Sequence, residues 1–301
     1  MKTLATILAV ALIPLLGFSQ QTIHESIVHD GEERTYILYV PANYTGESAV
    51  PLVFNFHGYT SNAKQQMGYG DFRPIADTSG FIIVHPQGTL LKGKTHWNVG
   101  GWTLASKTDD VGFTEALLDS LAAEYKIDMA RVYSTGMSNG GYMSFLLACQ
   151  LSDKIAAVAS VTGSMTPQIF DACDPQHPTP IMQVHGTTDP VVPYKGAAWS
   201  KSIDEVLKYW ITYNNCSSTP ETTEIADTDQ TDGSTVTHQI YAGGDKTATA
   251  EHFTVTGGKH TWPGTTFNKP GTNQDFNASL EIWKFFSRYD INGKLSSKSA
   301  D

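Results

Sequence analysis

Gly136-Met137-Ser138-Asn139-Gly140-Gly141 reads as G-x-S-x-G, and its flanks give the pattern meaning. Arg131 to Thr135 is β-prone, and Tyr142 to Cys149 is an apolar run without Pro or Gly that suits a buried helix. A serine on a tight turn between a strand and a helix stands exposed at the positive end of the helix, where it can attack as a nucleophile. Such a turn tolerates only small neighbours, and Gly136 and Gly140 supply the room.

A serine nucleophile needs a base, an acid that orients the base, and N–H groups that hold a developing oxyanion. Where the serine sits on a strand-to-helix turn, the acid and then the base follow it along the chain on loops after later strands. Asp189, in Gly186-Thr187-Thr188-Asp189-Pro190-Val191-Val192-Pro193, is the candidate acid; an Asp-Pro turn is the bland alternative. His260, in Gly257-Gly258-Lys259-His260-Thr261-Trp262-Pro263-Gly264, is the candidate base, the one late histidine with a strand-then-loop setting. His57, His85 and His185 each close an expected central strand and read as packing or hydrogen-bonding residues near the site. The backbone N–H groups of Asn139 and of Tyr59, in His57-Gly58-Tyr59-Thr60, are the expected oxyanion donors. Trp97, Trp102, Tyr142 and Trp262 are candidates for lining a substrate pocket, with ordinary core packing as the equal alternative. Asp109 and Asp110 fit helix N-capping better than substrate contact.

The elements that must position these groups alternate strand and helix. Strands are expected at 35–40, 52–56, 81–84, 131–135, 155–161, 180–185, 235–241 and 252–255, and helices at 113–125, 142–149, 201–213 and 278–289. In the last helix Leu280, Ile282, Trp283 and Phe286 form an apolar stripe. The alternation argues for an α/β fold with a mostly parallel central sheet and helices on both faces. Residues 217–234, rich in Thr, Asp and Glu, read as a surface loop, and 294–301 as a disordered tail. No linker or repeat divides the chain, so 22–293 reads as one catalytic domain.

Residues 1–20 have the layout of a secretory signal peptide: one positive charge, an apolar run from Leu4 to Phe18, and cleavage after Ser19 or Gln20. The expected location is therefore secreted or periplasmic, with no membrane association once the signal is removed. A net charge of −10 and the lack of a basic run argue against nucleic acid as a partner. Export makes a disulfide possible, and the polar surroundings of Cys173 and Cys216 make them the expected pair, with Cys149 a buried small hydrophobe. No H-E-x-x-H or C-x-x-C spacing points to a metal, and no G-x-G-x-x-G points to a dinucleotide cofactor.

These motifs together, with Ser61-Asn62-Ala63, Trp97-Asn98 and Asp109-Asp110-Val111-Gly112-Phe113, give a resemblance that covers nearly all of the chain after the signal. The chain resembles the secreted polyhydroxybutyrate depolymerase-like esterases, which include feruloyl and acetylxylan esterases. The resemblance implies an α/β-hydrolase fold, a Ser138–His260–Asp189 triad, and hydrolysis of carboxylic esters through an acyl-enzyme without a cofactor. It points to feruloyl or acetyl esters of plant polysaccharide, or to small esters; the absence of a following polymer-binding domain makes a polyester depolymerase the second reading. A serine peptidase of the prolyl oligopeptidase kind and an inactive carbohydrate-binding hydrolase fold are the remaining alternatives. Oligomeric state is left open.

Overall fold

A computed structural model describes residues 20–267 and 269–296. The chain opens with a hairpin of β1 (Gln21–His29) and β2 (Glu32–Val40), then β3 (Val50–Phe56). Two short helices, α1 (Ala63–Tyr69) and α2 (Arg73–Ser79), lead into β4 (Ile82–Pro86) and a small hairpin of β5 (Thr89–Leu91) and β6 (Lys94–His96). Next come α3 (Asp110–Glu124), β7 (Ile127–Met137), α4 (Asn139–Gln150), β8 (Ala157–Val161), α5 (Pro167–Asp171) and β9 (Ile181–Gly186). The last third holds α6 (Ile203–Tyr213), β10 (Glu221–Ile225), β11 (Thr235–Tyr241), β12 (Ala250–Thr256) and α7 (Ala278–Phe286), then a short hairpin of β13 (Tyr289–Asp290) and β14 (Gly293–Lys294).

One ten-stranded sheet runs β1-β2-β4-β3-β7-β8-β9-β12-β11-β10. The strands from β4 to β12 are parallel, and both ends close with antiparallel pairs. Alternate side chains feed two separate cores, as the period of a strand requires. On one face Leu52, Phe54, Val132 and Val158 pack with Phe113 and Leu117 of α3, Phe145 of α4 and Trp210 of α6. On the other, Val53, Tyr133, Ala159 and Met182 pack with Ala76 of α2 and with Ile282, Phe285 and Phe286 of α7. The sheet is thus covered on both faces, as expected.

Several local expectations need correction. β10 forms inside 217–234, because pairing with β11 satisfies its backbone despite its exposed, polar side chains. β1 was not anticipated, since its side chains are mostly exposed and carry little apolar signal. α7 ends at Phe286, and Leu280 is exposed, because the buried stripe is Ile282, Phe285 and Phe286. β14 (Gly293–Lys294) enters the expected tail, and Leu295 just after it donates its N–H to Arg288 O at 2.8 Å. All but Gln20 of the expected 1–20 signal peptide, and 297–301 of the expected tail, lie outside the described residues.

The expected Cys173–Cys216 disulfide is overturned: Cys149 is bonded to Cys173. α5 packs on α4, which brings the Cα atoms of the two cysteines to 4.8 Å, within bridging range. Cys216 follows α6, where its thiol faces Gly244 and the Ala248 carbonyl, and it is free. The bridge closes a separation of 24 residues, so losing it through Cys173→Ser should cost about 3 kcal/mol in denaturant unfolding. Cys216→Ala should cost less than about 1 kcal/mol; the reverse ranking would argue for the other pairing.

Candidate active site

Ser138 sits between β7 and α4 with φ 54° and ψ −119°, a left-handed backbone for a residue with a side chain. Such a conformation costs on the order of 1–3 kcal/mol and persists only when its surroundings impose it. Here they do: the Ser138 N–H donates to Val161 O at 2.8 Å, and its carbonyl accepts from Gly141 and Tyr142 N–H at 2.8 and 3.0 Å. The glycines are compulsory. A Cβ on Gly140 would lie 2.1 Å from the Phe56 carbonyl oxygen, and one on Gly136 would lie 2.6 Å from the same atom.

β9 and β12 are parallel neighbours, with Gly186 paired to Val255, so their C-terminal loops emerge side by side. The loops are stitched together. Thr187 N–H donates to Val255 O at 2.9 Å, Thr188 N–H to Gly258 O at 3.1 Å, and Gly257 N–H to the Thr187 hydroxyl at 3.0 Å. This brings Asp189 and His260 together, with His260 Nδ1–H donating to Asp189 Oδ2 at 2.8 Å. The second carboxylate oxygen accepts from Val191 and Val192 N–H at 2.8 and 2.9 Å. Burial pushes the Asp189 carboxyl up, but the His260 hydrogen bond, the nearby His260 and His185 rings and the Val192 N–H outweigh it and hold the group below its ordinary range. Asp189 is therefore an anion fixed toward one nitrogen of His260, leaving Nε2 as the nitrogen that can take a proton.

The loop after β3 is held just as closely. The buried His57 ring accepts the Gly88 N–H on Nε2 at 2.9 Å, which leaves Nδ1 to donate to Gly58 O at 2.7 Å. Burial pushes this ring down to about 4, so it is a neutral structural group. Trp97 Nε1–H donates to His57 O at 2.9 Å, and the Asn139 side chain clasps the Trp97 N–H and carbonyl at 2.7 and 3.2 Å. These contacts tie the 57–59 loop to the first turn of α4. Among the described residues, neither the Tyr59 nor the Asn139 backbone N–H donates to another group of the chain.

Two cavities meet at Ser138 and Tyr59. One, about 540 Å³, is lined by His260, Gln65, Gln66, Tyr69, Phe267 and Lys269 among others. The other, about 250 Å³, is lined by Trp102, Val191, Val192 and Trp199 besides Ser138 and Tyr59. Of the four aromatic candidates, Trp102 alone lines either cavity. Trp97, Tyr142 and Trp262 are buried behind the walls, because each spends its polar atoms on support. Trp97 clamps the 57–59 loop as above. The Tyr142 hydroxyl bonds Ser200 at 2.5 Å while its ring backs Trp102 edge-on. Trp262 Nε1–H donates to Ser279 and its N–H to the Tyr69 hydroxyl, which seats the His260 loop.

Trp199 was missed. It is half-buried in the loop between β9 and α6 and meets Trp102 edge-on at 5.1 Å, a packing relation that no motif in the sequence marks. Asp109 caps α3 as expected, accepting from Gly112 N–H at 2.9 Å, while Asp110 is buried and bonded to Arg34 at 2.6 Å. Among the described residues, His29, Asp30 and Asp109 form a surface group with metal-ligand spacing, and none of them lines the cavities at Ser138.

With this geometry in place, the comparisons with known proteins are direct. Residues 34–209, more than half of the chain, match the family described as "Esterase PHB depolymerase", and the chain belongs to that family. The matched segment contains Tyr59, Ser138 and Asp189 and ends before His260. The chain is 28% identical over 278 residues to the bifunctional acetylxylan esterase/xylanase XynS20E of Neocallimastix patriciarum, covering 92% of this chain and 36% of that protein. It is 32% identical over 199 residues to feruloyl esterase B of Piromyces equi, covering 62% of this chain and 37% of the relative. The chain thus spans a little over a third of the length of these two relatives. The structure of an acetyl xylan esterase from Aspergillus awamori superposes with TM-score 0.65 at 17% identity, over 89% of this chain and 99% of that one. The fold is that of an α/β-hydrolase.

The contact at Phe56 yields a test of the site's construction. Gly140→Ala should destabilise the protein by roughly 2 kcal/mol or more through overpacking. Gly58→Ala, whose Cβ would meet nothing closer than 3.4 Å, should cost less than about 1 kcal/mol. Equal thermal midpoints for the two variants would contradict the packing described here.

Proposed function

We propose that this chain is an exported serine carboxylic-ester hydrolase that works through an acyl-enzyme. The observation that carries the reading is the 2.8 Å bond from His260 Nδ1 to a buried Asp189, with the His260 ring and a backbone-strained Ser138 lining one cavity. In this reading Ser138 Oγ attacks the ester carbonyl while His260 Nε2 takes its proton, and Asp189 stabilises the imidazolium. The unclaimed N–H groups of Tyr59 and Asn139 hold the oxyanion. His260 then protonates the departing alcohol, and water repeats the sequence on the acyl-enzyme. Export is supported by the signal-like 1–20 sequence and by the Cys149–Cys173 bridge, which suits an oxidising compartment.

The two cavities suggest how the ester lies. The alcohol must leave toward the group that protonates it, so it occupies the larger, more polar cavity that His260 lines, as a sugar would. The acyl group then occupies the smaller cavity walled by Trp102, Trp199, Val191 and Val192. An acetyl group would leave most of that space unused, whereas a planar aromatic acyl group could stack on it. This favours a feruloyl-type ester, the group in the name of the Piromyces relative, carried in this reading on plant polysaccharide. Hydrolysis of acetyl esters, the activity in the name of the acetylxylan esterase/xylanase from Neocallimastix, is the second reading.

Ser138→Ala should lower kcat on methyl ferulate by roughly 10⁴- to 10⁶-fold; near-native turnover would refute the nucleophile. Burying an aromatic acyl group instead of a methyl is worth roughly 1.5–3 kcal/mol, so kcat/KM should favour feruloylated over acetylated oligosaccharide by about 10- to 100-fold. Trp199→Ala should erase most of that preference. An acetyl preference in the native enzyme would move the assignment to the second reading.

A further inference from the structure

His185 is the penultimate residue of β9, is fully buried, and lies four residues before Asp189. Its Nε2 is 2.9 Å from Val192 O and 3.5 Å from Asp189 Oδ2. Both are acceptors, so Nε2 carries the proton. Nδ1 lies 3.0 Å from Gln183 Nε2, and the same amide nitrogen is 3.0 Å from the Gly163 carbonyl. A carbonyl can only accept, so the amide presents its NH₂ to both, and Nδ1 is an acceptor. The tautomer is thereby determined from both sides of the ring. Burial pushes the ring down to about 4 against the opposing pull of Asp189, so it is neutral. The titratable groups around it are Asp189, His260, Tyr194, whose ring meets it edge-on at 5.9 Å, and His252.

Val192 is held from two directions. Its N–H donates to Asp189 Oδ1 at 2.9 Å, and its carbonyl accepts from His185 at 2.9 Å. The carboxylate and the ring therefore grip one short turn between them, and that turn sets where Asp189 Oδ2 points. We infer that His185 is a positioning residue: its Nε2–H pins the Val192 carbonyl and so aims Asp189 at His260. This rests on the Ser138–His260–Asp189 reading above and adds a fourth side chain to it. His185 also touches the acyl side of the site indirectly, since Val191 and Val192 wall the smaller cavity.

The test compares His185→Leu, which removes the donor, with His185→Gln, whose amide N–H can reach the place of Nε2. His185→Asn, whose amide is too short for that, is the third variant, and Ser138→Ala is the control. Each is measured for kcat and KM on p-nitrophenyl acetate and for thermal midpoint. His185→Leu should lower kcat by about 10- to 100-fold, the size of loss that misplacing a catalytic group produces, with KM changed less than about threefold. His185→Gln should recover most of that loss, and His185→Asn should not. A wild-type kcat in His185→Leu would overturn the inference, as would equal kcat for the Gln and Asn variants at equal thermal midpoints. If His185→Leu does not fold, the Gln and Asn pair decides alone. Activity persisting in Ser138→Ala would instead sink the underlying serine reading, a separate outcome.

Discussion

The backbone of Gly140 passes so close to the Phe56 carbonyl that not even a methyl group fits between them. The rest of the site depends on that approach. Phe56 ends β3, and the next three residues form the loop that carries the Tyr59 N–H. Gly140 is in the first turn of α4, beside Ser138 and the Asn139 N–H. Asn139 is bonded to Ser138, so its N–H comes with the serine, and the one contact sets the distance from both to the Tyr59 N–H across the gap. Asn139 reinforces it by clasping Trp97, whose indole holds the His57 carbonyl. Preorganised donors of this kind cost nothing at the moment of reaction, because the fold has already oriented them.

The proposed acid and base reach the same place by sheet topology. Asp189 and His260 are 71 residues apart, yet they follow adjacent parallel strands whose loops share hydrogen bonds. Burial alone would make Asp189 harder to ionise, and the N–H groups of Val191 and Val192 with the ring of His260 reverse that. Four buried histidines are held neutral by burial, His57 and His185 at about 4 and His85 and His252 at about 3. His57, His185 and His252 hydrogen-bond through their rings, whereas both ring nitrogens of His85 are without a hydrogen-bond partner among the described residues.

Much of this was legible in the sequence, and for physical reasons. The glycines around Ser138 are short-range steric requirements, so they show as spacing. Asp189 and His260 are long-range in contact but each follows an apolar strand, and chain order in this fold class ranks them. The disulfide was misjudged because Cys149 lies in an apolar helix, and nothing local reveals that α5 packs against that face. Trp97, Tyr142 and Trp262 could not be separated from Trp102 by type: whether an aromatic lines a cavity or backs its wall depends on three-dimensional partners such as Ser200 and Ser279. Trp199 carried no motif, and β1 and β10 carried no apolar alternation, so packing and strand pairing alone disclose them.

The central claim is that Ser138, activated by His260, forms a covalent bond with the acyl group of its substrate. Reaction with a fluorophosphonate followed by peptide mass spectrometry tests this most directly. A single adduct on the peptide containing Ser138, strongly diminished in His260→Ala, is the expected result. No adduct, or an adduct on another serine, would contradict it.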